Sequence, residues 1–164
     1  MVITQSMKFS GVLLKKGFWL YVWEILTPKK TNLYYIGRTG DSSSSNAQSP
    51  FNRMGQHLGF NKNSNVLRRH LEGKGITPEK CEFKLVAYGP ILREARTQDE
   101  HATARDITAA LEKALADTLA ESGFEVLNKV SCRKELDLNL WAKVRKEYAL
   151  HFPRLGVDTT KRRF

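Results

Sequence analysis

An arginine and a histidine that stand four residues apart, Arg53 and His57, follow the pair Ser49-Pro50. Serine caps a helix and proline suits its first turn, so a helix is predicted from residue 50. The spacing of four places both side chains on one helix face. A guanidinium can bind a phosphate oxygen in forked geometry, and an imidazole with a pKa near 6.5 can orient or transfer a proton. The pair therefore suits chemistry at a phosphate group.

Hydrolysis of a phosphodiester needs an activated water, neutralised charge on the phosphate and help for the leaving oxygen. Tyr35 is a poor base at its ordinary pKa of about 10, but cations such as Arg38 and Arg53 would lower that pKa. Glu112 could hold Mg²⁺ alone, because this ion keeps most of its waters and takes substrate oxygens. These residue types together predict metal-assisted hydrolysis.

Two strands and a turn must position the tyrosines. Residues 18–26 and 33–37 are rich in aromatic and branched side chains, and residues 27–32 between them resemble a turn, which predicts a hairpin. Side chains alternate along a strand, so Tyr21 shares a face with Trp23.

The remaining pattern predicts an α+β fold: a small, mainly antiparallel sheet of about three strands flanked by helices. The further elements expected are a helix at 65–71, a strand at 81–88, a long helix at 98–121 ended by Gly123, an apolar segment at 124–127 and a helix at 138–151. We predict an N-terminal extension with loose order at 1–17, one domain at 18–130, and a C-terminal helix and basic tail at 131–164 outside the minimal core.

Apolar residues at helical spacing predict which faces of the two last helices are buried. For the long helix they are Ile107, Leu111, Ala114, Leu115 and Thr118; for the last helix they are Leu138, Trp141, Val144, Tyr148 and Phe152.

Charge is the strongest global signal, because 27 Lys and Arg residues against 17 Asp and Glu residues give a formal net charge of +10. A domain this basic usually meets phosphate, and DNA is the expected partner. The backbone contacts are expected from Arg38, Lys62, Arg68 and Arg69. No run of 18 apolar residues occurs and only two isolated cysteines are present, so we expect a cytoplasmic protein without a membrane partner.

The hairpin sequence resembles the opening of the GIY-YIG endonucleases, since Tyr35-Ile36-Gly37 matches the second half of their signature. Arg53 and His57 resemble the Arg-x-x-x-His helix of that family. Glu112 and Asn128 resemble its metal-binding glutamate and its later asparagine. The resemblance covers about residues 20–130.

This resemblance implies a metal-dependent endonuclease that hydrolyses DNA phosphodiester bonds with one Mg²⁺ or Mn²⁺ ion bound at Glu112. The catalytic residues that it implies are Tyr21, Tyr35, Arg53, His57, Glu112 and Asn128. Two other functions are compatible with the composition: a non-catalytic nucleic-acid-binding module on the same scaffold, and a basic protein that binds another protein.

The first half of the signature departs from the family, because the family spacing places its tyrosine on Trp23. Indole only donates hydrogen bonds and cannot act as a base. The water could be activated by Tyr21, Tyr35 or His57 instead. Tyr21 lies two residues, or roughly 6.6 Å, from Trp23 along the strand. Reaching the site from there is expected to require a shifted strand, a bulge or a bridging water.

Overall fold

The computed structural model describes residues 2–42 and 46–157, and it has the predicted α+β architecture. The strands are β1 (Phe18–Leu26), β2 (Asn32–Arg38) and β3 (Glu82–Leu92), and the helices are α1 (Pro50–Leu58), α2 (Val66–Gly73), α3 (Gln98–Glu121) and α4 (Leu138–Ala149). The three strands form one antiparallel sheet in the order β2-β1-β3. The basic tail at 160–164 lies outside the described residues.

The central strand β1 is covered on both faces, which explains its almost unbroken apolar sequence. One face, with Leu20, Val22 and Ile36, packs against α3 and α4. The opposite face, with Tyr21 and Trp23, packs against α1 and α2. The alternation expected from the sequence is therefore confirmed.

Among the described α-helices, α1, α3 and α4 begin at side chains that cap them, whereas α2 has no side-chain cap. Ser49 accepts a hydrogen bond from the amide of Asn52, and Pro50 occupies the first turn of α1, as predicted. Thr97 caps α3 in the same way, and Asp137 caps α4. These caps fix the ends of the helices relative to the sheet.

The buried face of α3 is rotated from the predicted stripe. Leu111 and Leu115 are buried as expected, but Ala104, Thr108 and Leu119 complete the stripe instead of Ala114 and Thr118. Position 108 carries a threonine whose hydroxyl donates to a carbonyl of its own helix at 2.7 Å, so a polar residue fits inside.

Helix α4 belongs to the main core and is not an appendage outside it. Val144, Tyr148 and Phe152 are buried in the same cluster as the sheet residues. The prediction was wrong for Leu138, which is 72% exposed because it lies in the first turn of the helix, before the segment that meets the sheet.

Residues 2–17 have little regular structure apart from a short 3₁₀ helix. The first of them are highly exposed, with Val2 at 101%, but Phe9 and Lys15 contact the rest of the protein. The ring of Phe9 lies 4.9 Å from that of Phe51 in α1, and the indole of Trp19 donates to the carbonyl of Lys15. Among the described residues, no helix is both long and apolar enough to cross a lipid bilayer.

Candidate functional site

Tyr21 crosses the neighbouring strand at a glycine. The register pairs Tyr21 with Gly37, and a Cβ atom at position 37 would lie only 2.4 Å from the tyrosine ring. Glycine is therefore required there, and the ring reaches across β2. The hydroxyl of Tyr21 lies 2.6 Å from Nε2 of His57 on α1, within hydrogen-bonding distance.

Tyr21 contacts His57 directly and needs no bridging water. The β1–β2 pairing is regular from Leu20 to Leu26, whereas the β1–β3 pairing shifts register between Phe18 and Leu20, so an irregularity of the kind expected does lie next to Tyr21. Trp23 instead packs edge-on against Phe83 of β3, with ring centres 6.0 Å apart. Trp23 is a core residue in this fold.

Tyr35 lies on the same face as Tyr21 and beside the same histidine. Its ring centre is 5.2 Å from that of His57 and 5.8 Å from that of His70. The structure thus brings Tyr21, Tyr35 and His57 together, as the sequence predicted.

Arg53 lies next to this group on α1. One terminal nitrogen donates to Gln56 at 2.9 Å and the other to Asp41 at 3.1 Å. Its Nε is buried and has no hydrogen-bond partner among the residues described. The charge of Arg53 and a hydrogen bond to Tyr21 also couple this side chain to the tyrosine.

Asp41 is a residue of this group that the sequence analysis missed. It follows Gly40 directly after β2 and pairs with Arg53 across 12 residues of chain. In the sequence, Asp41 is an acidic residue in a flexible-looking loop shortly after Tyr35-Ile36-Gly37. That feature alone predicts only a turn.

Glu112 and Arg38 form an ion pair at the end of β2, with Nε of Arg38 2.9 Å from Oε2 of the carboxylate. Both side chains are only 15% exposed. Tyr35 and Gly37 face α1, whereas Arg38 faces α3. The candidate site therefore surrounds the end of an edge strand and draws on both faces of the sheet.

Asn128 supports this strand and takes no direct part in the site. Its amide donates to the carbonyl of Ile36 at 2.7 Å and accepts from the amide of Ile36 at 3.0 Å. Residues 125–127 pair with Tyr34 on the same outer edge. Because both ends of its side-chain amide are occupied, the catalytic role expected for Asn128 is corrected to a positioning role.

Of the four expected DNA contacts, Arg68 is also reassigned. Its guanidinium is buried and pairs with Glu72 and Glu79 at 3.3 and 2.7 Å. It also donates to the carbonyl of Leu58, so it joins α2 to the end of α1. Lys62 and Arg69 are exposed, as a contact to a DNA backbone requires.

Burial controls the protonation of the site. It raises the pKa of Tyr35 well above the ordinary value, the charge of Glu112 adds to this, and Arg53 only partly opposes it. The expectation that nearby cations would lower the pKa of Tyr35 is therefore wrong for the protein without substrate. Burial also raises the pKa of Tyr21, again against the charge of Arg53.

The histidine of the site is neutral over the physiological pH range. Burial, followed by the positive charge of Arg53, lowers the pKa of His57 to about 3. Its Nδ1 is buried without a hydrogen-bond partner in the described part of the chain. A neutral ring can orient the tyrosine hydroxyl, and it gains a proton more readily once a negative charge arrives beside Arg53.

Glu112 is the carboxylate available for a metal. Residues 2–42 and 46–157 contain no group of three or more His, Cys, Asp or Glu residues arranged to hold an ion. One carboxylate still fits Mg²⁺ or Mn²⁺, because Mg²⁺ keeps several waters and takes substrate phosphate oxygens as further ligands. In Glu112, Oε2 is bound to Arg38, and Oε1 accepts no hydrogen bond from any described residue.

The chain was compared with family models, curated proteins and solved structures, and none of the three comparisons found a match. The function must therefore be argued from the site itself.

Replacing Asn128 with alanine is expected to destabilise the protein by roughly 2 to 3 kcal/mol, because the buried N–H and C=O groups of Ile36 lose their partners. Urea denaturation would measure this. The exposed Asn63→Ala serves as the control and should change the free energy of unfolding by less than about 0.5 kcal/mol. Equal stability of the two variants would contradict the positioning role.

Burial raises the pKa of Glu112 to about 7, against the opposing charge of Arg38. Between the unfolded pKa of 4.5 and this value, the folded state holds a proton that the unfolded state releases. Unfolding free energy is therefore lost as pH rises. Relative to Glu112→Gln, the wild type should lose on the order of 2 kcal/mol between pH 5 and pH 8.

Urea denaturation of both proteins at the two pH values checks this. Both contain His57, whose lowered pKa reduces stability in acid, so the difference between them isolates Glu112. A difference that does not change with pH would show that the carboxylate is ionised throughout.

Proposed function

We propose that the protein is a GIY-YIG-like endonuclease that hydrolyses DNA phosphodiester bonds with one divalent metal ion. The observation that carries the proposal is the group around the end of β2, where Tyr21, Tyr35, Arg53 and His57 lie beside the Arg38–Glu112 ion pair. These residues come from four elements and span 92 positions of the chain. A net charge of +10 supports a polyanionic substrate.

Arg53 binds a non-bridging phosphate oxygen in this proposal. Its side chain is 18% exposed and carries the planar set of donors that suits such an oxygen pair. Asp41 holds the guanidinium in place and is only half-covered, so solvent and substrate can reach this side of the site. Binding of the phosphate adds negative charge next to His57 and Tyr21.

Tyr21 is the proton acceptor for the attacking water. As its oxygen takes a proton from water, its own proton passes across the 2.6 Å contact to Nε2 of His57. The phosphate beside Arg53 offsets the positive charge that otherwise disfavours a charged imidazole. Tyr35 lies near Glu112 and stays protonated, so it donates a hydrogen bond to the substrate.

Glu112 would hold the divalent ion, which when bound supplies charge neutralisation at the phosphate and the leaving oxygen. Arg38 competes for the same carboxylate in the protein alone, and its buried Nη1 has no partner among the described residues. A phosphate oxygen next to Glu112 would give Arg38 a new acceptor when the carboxylate turns to the ion.

The test is a plasmid-nicking assay with Mg²⁺ and with EDTA, together with DNA binding at 50 and 200 mM salt. We expect nicking only with Mg²⁺ and a binding constant that falls steeply with salt, because phosphate contacts release counterions. Salt-sensitive binding without nicking would identify a non-catalytic DNA-binding module. Absence of salt-sensitive binding would favour a basic protein that binds another protein.

Replacing Arg53 with lysine is expected to lower the nicking rate at least tenfold, although the charge is kept. Lysine loses the planar fork and the bonds to Gln56 and Asp41. Arg93→Lys, at an exposed arginine that makes none of these contacts, is the control and should cut at the wild-type rate. A near wild-type rate for Arg53→Lys would show that position 53 supplies only diffuse positive charge.

A further inference from the structure

An exposed aromatic side chain follows α1 directly. Phe60 comes after Gly59, the residue at the C-terminal end of the helix, and is 81% exposed. The residues after it, Asn61-Lys-Asn-Ser-Asn65, are all polar. Phe60 is therefore absent from the hydrophobic clusters of the described chain and does not stabilise a core.

The ring of Phe60 is fixed from one side. The guanidinium carbon of Arg68 lies 4.4 Å from the ring centre. Arg68 is itself held by the carbonyl of Leu58 and by Glu72 and Glu79. One face of the ring thus rests on a buried, fully committed cation, and the other face is open to solvent.

A basic cavity of about 420 Å³ lies beside this ring. It is lined by Phe60, Lys62, Asn65, Arg68, Arg69 and Glu72. Lys62 and Arg69 are exposed cations. Asn65 is only 4% exposed, and its Oδ1 accepts no hydrogen bond within the described part of the chain. The cavity therefore combines an aromatic face, two free positive charges and a polar side chain with an unused acceptor.

The cavity adjoins the candidate site. Phe60 stands three residues after His57, and His70 of α2 lies 5.8 Å from the ring of Tyr35. Burial raises the pKa of Tyr35, and the charge of Arg69 is among the influences that lower it. Arg69 lines the cavity, and the next residue of α2, His70, contacts Tyr35, so the cavity and the candidate site share this helix.

We propose that the open face of Phe60 stacks on an unpaired nucleobase next to the bond that is cut. Aromatic rings beside Arg and Lys bind unstacked bases, and their preference for sequence is small because every base has a flat face. A base inside an intact duplex is covered on both faces and cannot stack in this way without being extruded. The substrate class is DNA with an unpaired base at the cut site, as in a gap, bubble or branch.

The inference rests on the proposed nucleic-acid function, so its test measures binding in EDTA, where no cleavage is needed. The two probes are a 20-base-pair duplex and the same duplex with one unpaired 2-aminopurine. Fluorescence anisotropy measures binding, and the fluorescence of 2-aminopurine measures stacking. We expect the wild type to bind the second probe more tightly and to quench its fluorescence. Phe60→Ala should weaken that binding roughly 5- to 150-fold, the range for one stacked base.

Phe60→Trp should keep both the affinity and the quenching, whereas Phe60→Leu, which keeps an apolar side chain, should behave like alanine. Leu150→Ala, at an equally exposed apolar position after α4, is the control and should bind both probes like the wild type.

Equal losses on both probes for Phe60→Ala, or wild-type binding by Phe60→Leu, would overturn the inference. The second of these results would show that any apolar side chain serves at position 60 and that the ring does not stack on a base. If the wild type binds neither probe at low salt, the proposed function fails as well. If it binds both but nicks no plasmid, only the catalytic proposal fails.

Discussion

Replacing Tyr21 with phenylalanine is expected to lower the rate of DNA nicking at least 100-fold. The hydroxyl of Tyr21 is the group that contacts Nε2 of His57, and positioned proton transfer contributes roughly 10²- to 10⁴-fold in rate. Tyr35→Phe should cost at least the lower of these factors, because its hydroxyl donates to the substrate. Both rates are measured by single-turnover nicking at saturating Mg²⁺.

Trp23→Phe is the matched control for these two variants. Trp23 lies on the same sheet face, but its ring meets Phe83 and its buried indole nitrogen has no partner among the described residues. Phenylalanine therefore fills most of the same space without losing a hydrogen bond, and Trp23→Tyr should likewise retain activity. If Tyr21→Phe cuts normally and Tyr35→Phe is inactive, the proton acceptor is Tyr35. If Tyr21→Phe and Tyr35→Phe both cut at the wild-type rate, the proposed tyrosine mechanism is excluded.

The other large effect is expected at Glu112. Glu112→Ala and Glu112→Gln should each lower nicking by about 1000-fold or more, since a divalent ion contributes several kcal/mol of charge stabilisation. Glutamine keeps an oxygen that can accept from Arg38, so it separates the loss of the metal from the loss of this hydrogen bond. Both variants should still bind DNA in EDTA.

Asp117→Asn serves as the control, because this carboxylate lies on the same helix and pairs with Lys113 away from the site. It should nick at the wild-type rate. Activity in EDTA, or wild-type activity of Glu112→Gln, would exclude Glu112 as the residue that holds the ion.

The fold could be predicted from local patterns because each pattern has a local physical cause. The aromatic and branched residues of β1 and β2 predicted the hairpin, and Ser49-Pro50 marked the start of α1. The same alternation put Tyr21 and Trp23 on one face of β1, and the structure places both in one cluster. What local patterns could not supply was the rotation of α3, since alanine and threonine fit both a buried and a half-buried helix face.

In the resemblance to the GIY-YIG family, the first half of the signature shows how counting residues along the chain can mislead. The number of residues along the chain indicated Trp23. That number includes a hairpin turn, whose length can vary without moving the site. Spacing across the sheet points to Tyr21, because the register sets it against Gly37. The unusual feature is therefore the glycine, which leaves room for a ring to pass over β2.

Two other roles depended on partners that lie far away in sequence. Asn128 bonds to Ile36 across 92 residues, and Arg68 finds Glu79 beyond the end of its own helix. Neither pairing is visible as a pattern of closely spaced residues in the sequence. The raised pKa of Tyr35 has a similar origin, because it reflects how completely the packed protein removes water from the hydroxyl.

The support of β2 by residues 125–128 also bears on the order in which a growing chain becomes functional. Every side chain proposed to react lies at or before Glu112, but the residues that bond to the outer edge of β2 come later, as do those of α4 that complete the core. A nascent chain that has emerged from the ribosome only as far as Gly123 would carry all the reactive groups and none of that support. Synthesis itself would therefore delay the assembly of the candidate site until residues 125–155 are made.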